Sequence, residues 1–417
     1  PLEAARLGCR SYGNDLNPVA HIIQRGSLEF PQKFGKPIRY SKKAFIEKYG
    51  REAFDGLPRS AHVYEDGNVT GVQLENRVSY EVEYYANKML AMAEEEIGLL
   101  YPKGEDGKET IAYYWARTAT CSNPSCGAEV PLLKQFYLCR KKSKNVHLKP
   151  IINGTDVQFE IREGKIEEDG WNNRAVLTCP CCGSTTDTNS LKKQFKAGST
   201  SERLLAVIID GDNGKEYRLP NEEEINVFKK IPQDLDRPTD KMATGNKRNF
   251  NTPGWGVDRY GQMFTDRQLL ALQTFVQKLD DLKKELQPEE SEYGKAVVTY
   301  LGILIDRIAI ANTSYGRWHV GRETLEHPFS RQAIPFIFDF PESNPFCSST
   351  GSARNHIDWI TRYIKSECEH AFAAICNNAA SGDKSQFREK ELDGVITDPP
   401  YYDAIAYADL SDFFYVW

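Results

Sequence analysis

The chain has 417 residues, 53 of them basic and 59 acidic, for a net charge of −6. That length predicts two or three domains, and the slightly acidic balance argues against a large non-specific nucleic-acid binder while leaving room for a local basic groove. Ten cysteines are too sparse for a disulfide scaffold, and their clustering points to metal and a reducing, cytoplasmic setting; no apolar run reaches membrane-spanning length, the best (297–311) being broken by Asp306 and Arg307.

Residues 1–9 read as a short helix and 9–15 as a short strand ending in Asp15, after which Asn17-Pro18 opens a helix. Residues 72–101 predict a long helix, because Val78, Val82, Tyr85, Met89 and Met92 recur every three or four positions. Residues 110–120 fit a strand feeding the first cysteine pair. Several strand-like runs follow in 128–178, one with an Asn153-Gly154 turn, and 203–219 predict a hairpin about residues 210–215. The Pro-, Asn- and Lys-rich stretch 231–256 reads as loop. Thr265 and Gln268 form a capping-box pattern that opens a long helix, and further helices are expected at 292–312 and 355–378. Residues 392–397 then read as a buried strand running into Asp398.

Asp398-Pro399-Pro400-Tyr401 carries the sharpest chemistry. Four specified residues recur by chance in only about one chain in several hundred. The competing reading is a plain turn, where two prolines stop a sheet. The chemical reading starts from an exocyclic base amine, whose lone pair is delocalised into the ring. A carboxylate and a rigid backbone carbonyl can accept its two N–H groups and draw the nitrogen toward a tetrahedral form, while a tyrosine ring stacks on a flipped-out base. Asp15, at a strand end, can bind ribose hydroxyls of a nucleotide-like cofactor, or serve simply as a turn or helix cap.

Cys121 with Cys126-Gly127 and Cys179 with Cys182-Gly183 form two turn-like knuckles, whose four thiolates suit a structural, closed zinc site. Cys181 has no assigned role. The stretch between the pairs exceeds ordinary ribbon spacing, so an insertion separates the halves. Within it lie Lys134, Arg140, Lys141, Lys142, Lys144 and Lys149, with Phe136 and Tyr137 interleaved. This stretch reads equally as a phosphate-following loop or as a solvated charged hairpin.

Taken together, Pro1-Leu-Glu-Ala-Ala-Arg-Leu-Gly-Cys9, Asp15-Leu16-Asn17-Pro18, the two knuckles, Asp398-Pro399-Pro400-Tyr401-Tyr402-Asp403 and Leu410-Ser-Asp-Phe-Phe-Tyr-Val-Trp417 resemble adenine-specific DNA methylases containing a zinc ribbon. The resemblance runs along the whole chain, including Phe264–Leu272 and Arg331–Pro335. It implies an α/β fold, a Rossmann-like methyltransferase core split by a long insertion with the ribbon and helices. It implies S-adenosylmethionine as cofactor with Asp15 on its ribose, Asp398 to Tyr401 as the catalytic loop, DNA as partner, and loosely a restriction or phage-defence system with its protein partners. The core pieces would be 1–40 and 385–417, with a helical segment at 41–104 and the zinc ribbon with its hairpins at 105–200. A mixed, mainly helical region at 201–384 would help to recognise DNA. The family's glycine-rich strand is expected before Pro1, so the chain reads as a piece cut at both ends. The strands ending at Asp15 and Asp398 should then run parallel, roughly 9–10 Å apart, without bonding each other. The alternatives are a methylase of RNA or of another amine or amide, and a zinc-ribbon nucleic-acid-binding protein with an inactive methyltransferase core.

Overall fold

The computed structural model describes residues 1–104, 107–244, 248–286, 291–349, 351–369, 372–399 and 405–417, with backbone alone at 330 and 331. The chain is mixed α/β, built from several small sheets. Among the described residues no helix is long and apolar enough to cross a membrane. Two units emerge, each discontinuous in sequence. The first comprises Pro1–Met89, Leu279–Leu304 and Ile357–Asp398; the second comprises Leu90–Lys278, Ile305–His356 and Pro399–Trp417.

In the first unit, the predicted long helix runs Arg77–Ile97, and the part within this unit buries Val78, Val82, Tyr85 and Met89, the face that the spacing marks out. Ahead of it the strands Ile38–Ser41, Asn68–Leu74 and His62–Glu65 form an antiparallel sheet with Asn68–Leu74 in the centre. Ser41 caps the helix Lys42–Tyr49 by accepting a hydrogen bond from Ala44 N (3.2 Å). Its buried face joins Phe45 and Tyr49 to Phe54, Val72 and Leu74, with Tyr80 and Tyr84 packed alongside. Stretch 41–104 therefore contains sheet as well as helix. Buried Glu81 is matched by three donors: Tyr49 OH (2.5 Å), Lys48 Nζ (2.8 Å) and Arg77 Nε (3.2 Å).

The strand predicted at 9–15 is Tyr12–Asn14, and it pairs parallel with Ile375–Asn377. The helix expected over 355–378 thus stops at Glu367, and its last residues become that neighbouring strand. The expected buried strand over 392–397 is not formed: the segment has no helix or strand, with Val395 73% and Ile396 100% exposed. A strand needs a hydrogen-bonded neighbour and a covered face, and no described strand flanks this segment. The parallel, non-bonded arrangement expected for 10–15 and 393–398 therefore does not arise.

The second unit is organised on a five-stranded antiparallel sheet. Its central strand, Thr110–Thr120, is buried from Thr110 to Ala119 because Glu202–Gly211 and Asp339–Ser343 flank it and both faces are covered. Gly214–Arg218 extends the sheet through the predicted hairpin, and Glu129–Pro131 pairs with the far end of the central strand. The stretch between the cysteine pairs contains a separate antiparallel sheet, Tyr137–Arg140, Asn145–Asn153 and Asp156–Glu163; its Asn153-Gly154 turn has Gly154 at φ +62°, a left-handed conformation that favours glycine. Phe136, Leu138, Leu148, Val157 and Phe159 join Ile111, Tyr114 and Ile208 in one core.

The predicted capping box opens the helix Asp266–Leu286: Gln268 Oε1 accepts from Thr265 N (2.9 Å) and Thr265 Oγ1 from Gln268 N (3.2 Å). It places Arg267 wholly inside the second unit. There its Nε meets Glu342 Oε1 at 2.7 Å, Nη1 donates to Leu100 O (2.8 Å), and the guanidinium lies 3.9 Å from the Tyr113 ring centre.

Candidate metal centre and catalytic motif

The cysteine knuckles are turns between short strands. Cys121 follows Thr110–Thr120, and the chain returns at Glu129–Pro131; Cys179 follows Val176–Thr178, and the chain returns at Thr185–Thr186. In the first turn Cys121 N donates to Ala128 O (2.9 Å), and Cys126 N and Gly127 N both donate to Asn123 O (2.9 and 3.0 Å). In the second, Cys179 N donates to Ser184 O and Gly183 N to Cys179 O, both at 2.8 Å. Gly127 (φ +59°) and Gly183 (φ +74°) take left-handed backbone with open space where a Cβ would stand, so conformation and not crowding calls for glycine.

These turns bring all four thiol sulfurs within 4.8 Å of one another. Cys121 and Cys182 Sγ are 3.6 Å apart, and Cys126 and Cys179 Sγ 3.8 Å. A zinc ion with tetrahedral bonds of about 2.3 Å holds its sulfurs about 3.8 Å apart, so the donor set fits a metal ion such as zinc. Ser184 hydrogen bonds draw the Cys182 thiol down to about 6, whereas burial pushes Cys121 up to about 12. Asn123 supports the cluster from outside, its Nδ2 lying 3.7 Å from Cys182 Sγ and 3.4 Å from Ser184 Oγ. Ser122 N and Oγ tie the first turn to Thr186 Oγ1 and Thr185 O of the second. Four thiols in this arrangement would fill the tetrahedral positions of such an ion. Cys181 is not one of the four and packs against the core.

No protein-family model, curated protein or solved structure matches the chain.

Asp15 stands just past the carboxyl end of Tyr12–Asn14. Its N donates to Asn377 O (3.3 Å), and its Oδ1 accepts from Asn17 N (2.8 Å). Asn17 in turn caps the helix Pro18–Gln24, its Oδ1 accepting from Val19 N (2.9 Å) and Ala20 N (3.2 Å). Asn378, one residue beyond the neighbouring strand, donates its Nδ2 to Asp15 O (2.9 Å) and Leu16 O (3.1 Å). The turn role is thus realised in one carboxylate oxygen; Oδ2 keeps no hydrogen bond among the described residues.

Asp398 and Pro399 are exposed. Pro400 and Tyr401 lie outside the described residues. No hydrogen bond or ion pair joins Asp398 to Asp15 among the described residues. Downstream, the helix Tyr407–Tyr415 is anchored within the second unit: Phe413 is fully buried against Phe264 and Phe329, with ring centres 5.7 and 5.2 Å apart, Trp417 meets Phe264 edge-on at 5.1 Å, and Tyr260 OH donates to Asp409 O. Phe264 also lines a groove of about 1030 Å³ with Trp115, Phe228, Arg237 and Asp266.

The basic stretch is less free than its composition implies. Lys149 pairs with Glu168 (2.9 Å), and Lys141 and Lys144 pair with Glu323. Phe136 and Tyr137 are buried, which removes them as stacking platforms for bases. Trp318 is likewise a core residue, its Nε1 donating to Leu138 O (2.7 Å). Glu323 is a residue that sequence reasoning missed; an isolated glutamate far from the lysines that it gathers carries no local signal.

Proposed function

We propose that this protein is an S-adenosylmethionine-dependent methyltransferase with a Rossmann-like core, acting on N6 of a flipped-out adenine in DNA. The observation that carries the reading is the strand–turn–helix unit around Asp15. Tyr12–Asn14 runs parallel to Ile375–Asn377, and Asp15, Asn17 and Asn378 gather at the carboxyl ends of both strands. Parallel pairing is the hallmark of doubly wound sheets, which bind nucleotide-like ligands outside those ends. There Oδ2 of Asp15, without a hydrogen bond among the described residues, suits a ribose hydroxyl. The closed four-thiol centre supports the ribbon part of the same resemblance.

In this reading the cofactor supplies an electrophilic methyl group. The chain's own residues prepare the acceptor: the Asp398 carboxylate and the backbone carbonyl held by Pro399 and Pro400 accept the two amine N–H groups, and the Tyr401 ring stacks on the base. Exposure of Asp398 leaves its carboxylate open to substrate. The unpaired 393–397 segment favours one competing reading, a nucleic-acid-binding protein with an inactive core. Labelled methyl transfer to DNA, RNA and protein separates these, and also separates off an RNA, amine or amide methylase. DNA labelling that disappears in Asp398→Ala is the expected result; Asp398→Ala turning over like the parent would remove the assigned role.

A further inference from the structure

Three segments distant in sequence meet around Glu323 in the second unit. The turn between Tyr137–Arg140 and Asn145–Asn153 contributes Arg140, Lys141, Lys142 and Lys144. The strand Gly214–Arg218 contributes Lys215, and the turn after Arg317–His319 contributes Arg322 and Glu323. Arg140 N donates to Val320 O (2.9 Å), which fastens the first turn to the third. Glu323 is 5% exposed and holds φ +53°, a conformation that a glutamate seldom adopts unless its surroundings demand it.

Its carboxylate accepts from Lys141 Nζ, from Lys144 Nζ (3.3 Å) and from Tyr217 OH (2.7 Å). Lys215 Nζ donates to the backbone carbonyl of Glu323, and Lys144 Nζ also to that of Lys215. Two ammonium groups thus meet one carboxylate and a third meets the backbone carbonyl of the same residue, so the three outnumber the Glu323 charge by two. The other acids nearby do not balance them fully. Asp210 stands opposite Lys215 in the ladder, and Glu216 turns to Lys108 at 3.2 Å. Burial, opposed by Glu323 and reinforced by Lys141, lowers the proton affinity of Lys215. Arg140, Lys142 and Arg322 are exposed, and Arg140 lies 5.0 Å from the Tyr137 ring centre. A compact excess of cations, fixed by a buried counter-charge and bordered by exposed guanidinium groups, is suited to a ligand that repeats negative charge along its length.

We propose that Lys141, Lys144 and Lys215, with Arg140, Lys142 and Arg322 at the rim, seat backbone phosphates of the DNA substrate, and that Glu323 is the positioning residue that spreads the three ammonium groups. This rests on the DNA reading above and adds the surface that grips the strand. It excludes Lys134 and Lys149 from that surface, although they belong to the same basic stretch.

The test is anisotropy of a labelled DNA duplex with the full chain across 50–200 mM salt. Arg140→Gln with Lys142→Gln removes two exposed cations without disturbing the core, and Lys215→Gln removes an inner one. The expected result is a slope of log affinity against log salt that falls by about 0.9 for each phosphate left without its cation. Lys134→Gln with Lys149→Gln should keep the parent slope. Polyglutamate of matched charge should compete poorly; equal competition would assign the surface to an acidic polypeptide and overturn the proposal. Parent slopes in both cluster variants would overturn it alone if the full chain still methylates DNA. A parent that neither binds nor methylates DNA would overturn it together with the DNA reading.

Discussion

Replacing one knuckle cysteine should empty the metal centre. Structural zinc contributes about 10–16 kcal/mol of apparent binding free energy in small zinc modules, so an even quarter share per thiolate is about 2.5–4 kcal/mol, or roughly 10²–10³-fold in affinity. Cys126→Ser is a clean perturbation, because Cys126 is only partly buried and its replacement opens no deep cavity. The parent should carry one metal per chain and, with cobalt substituted, an intense thiolate-to-metal charge-transfer band. Cys126→Ser should lose both in the presence of a competing chelator, and Cys181→Ser should keep both because Cys181 faces the core. Acidification should release the metal, since protons compete for thiolates and none of the four sulfurs can be both protonated and bound. The reasoning fails if Cys126→Ser retains stoichiometric metal at parent affinity, or if the parent refolded with zinc holds none.

Gly183→Ala should destabilise the second knuckle by about 1–2 kcal/mol, because φ +74° is costly for a residue with a Cβ; weaker metal retention checks it. Removing one member of the Arg267–Glu342 pair by Glu342→Ala should cost about 3–5 kcal/mol in urea unfolding, whereas Arg267→Met with Glu342→Leu should recover most of it. Lys141, Tyr217 and Lys144 outweigh burial and hold the Glu323 carboxyl at about 2. A depressed folded-state value gives stability that is full above the ordinary glutamate range and lost as pH falls from about 4.5 toward about 2. Glu323→Gln should therefore flatten thermal stability across that window, and an unchanged acid limb would contradict the pairing. Tyr401→Ala should weaken base binding by about 1–3 kcal/mol through lost stacking, measured as affinity for DNA carrying an abasic site against intact DNA.

How much was legible in the residues varied with the range of the interaction. The knuckles were readable because each is a turn closed within a few residues, with glycine where φ must be positive. The Thr265–Gln268 capping box, the Asn153-Gly154 turn and the buried face of Arg77–Ile97 were readable for the same reason: each depends on side-chain period or on neighbours three or four positions away. By contrast, the strand Ile375–Asn377 was read as the tail of a helix. Its strand character comes from pairing with Tyr12–Asn14 at the other end of the chain. The run 392–397 has the apolar content of a buried strand but no flanking partner among the described residues, so composition alone did not make it one. The cysteine chemistry and local turns were thus determined by the amino-acid sequence itself. Only the tertiary structure decided which strands pair, that Phe136 and Tyr137 face the core, and that Glu323 gathers lysines from two other segments, because non-local pairing and burial depend on which distant surfaces meet, and no local period encodes that.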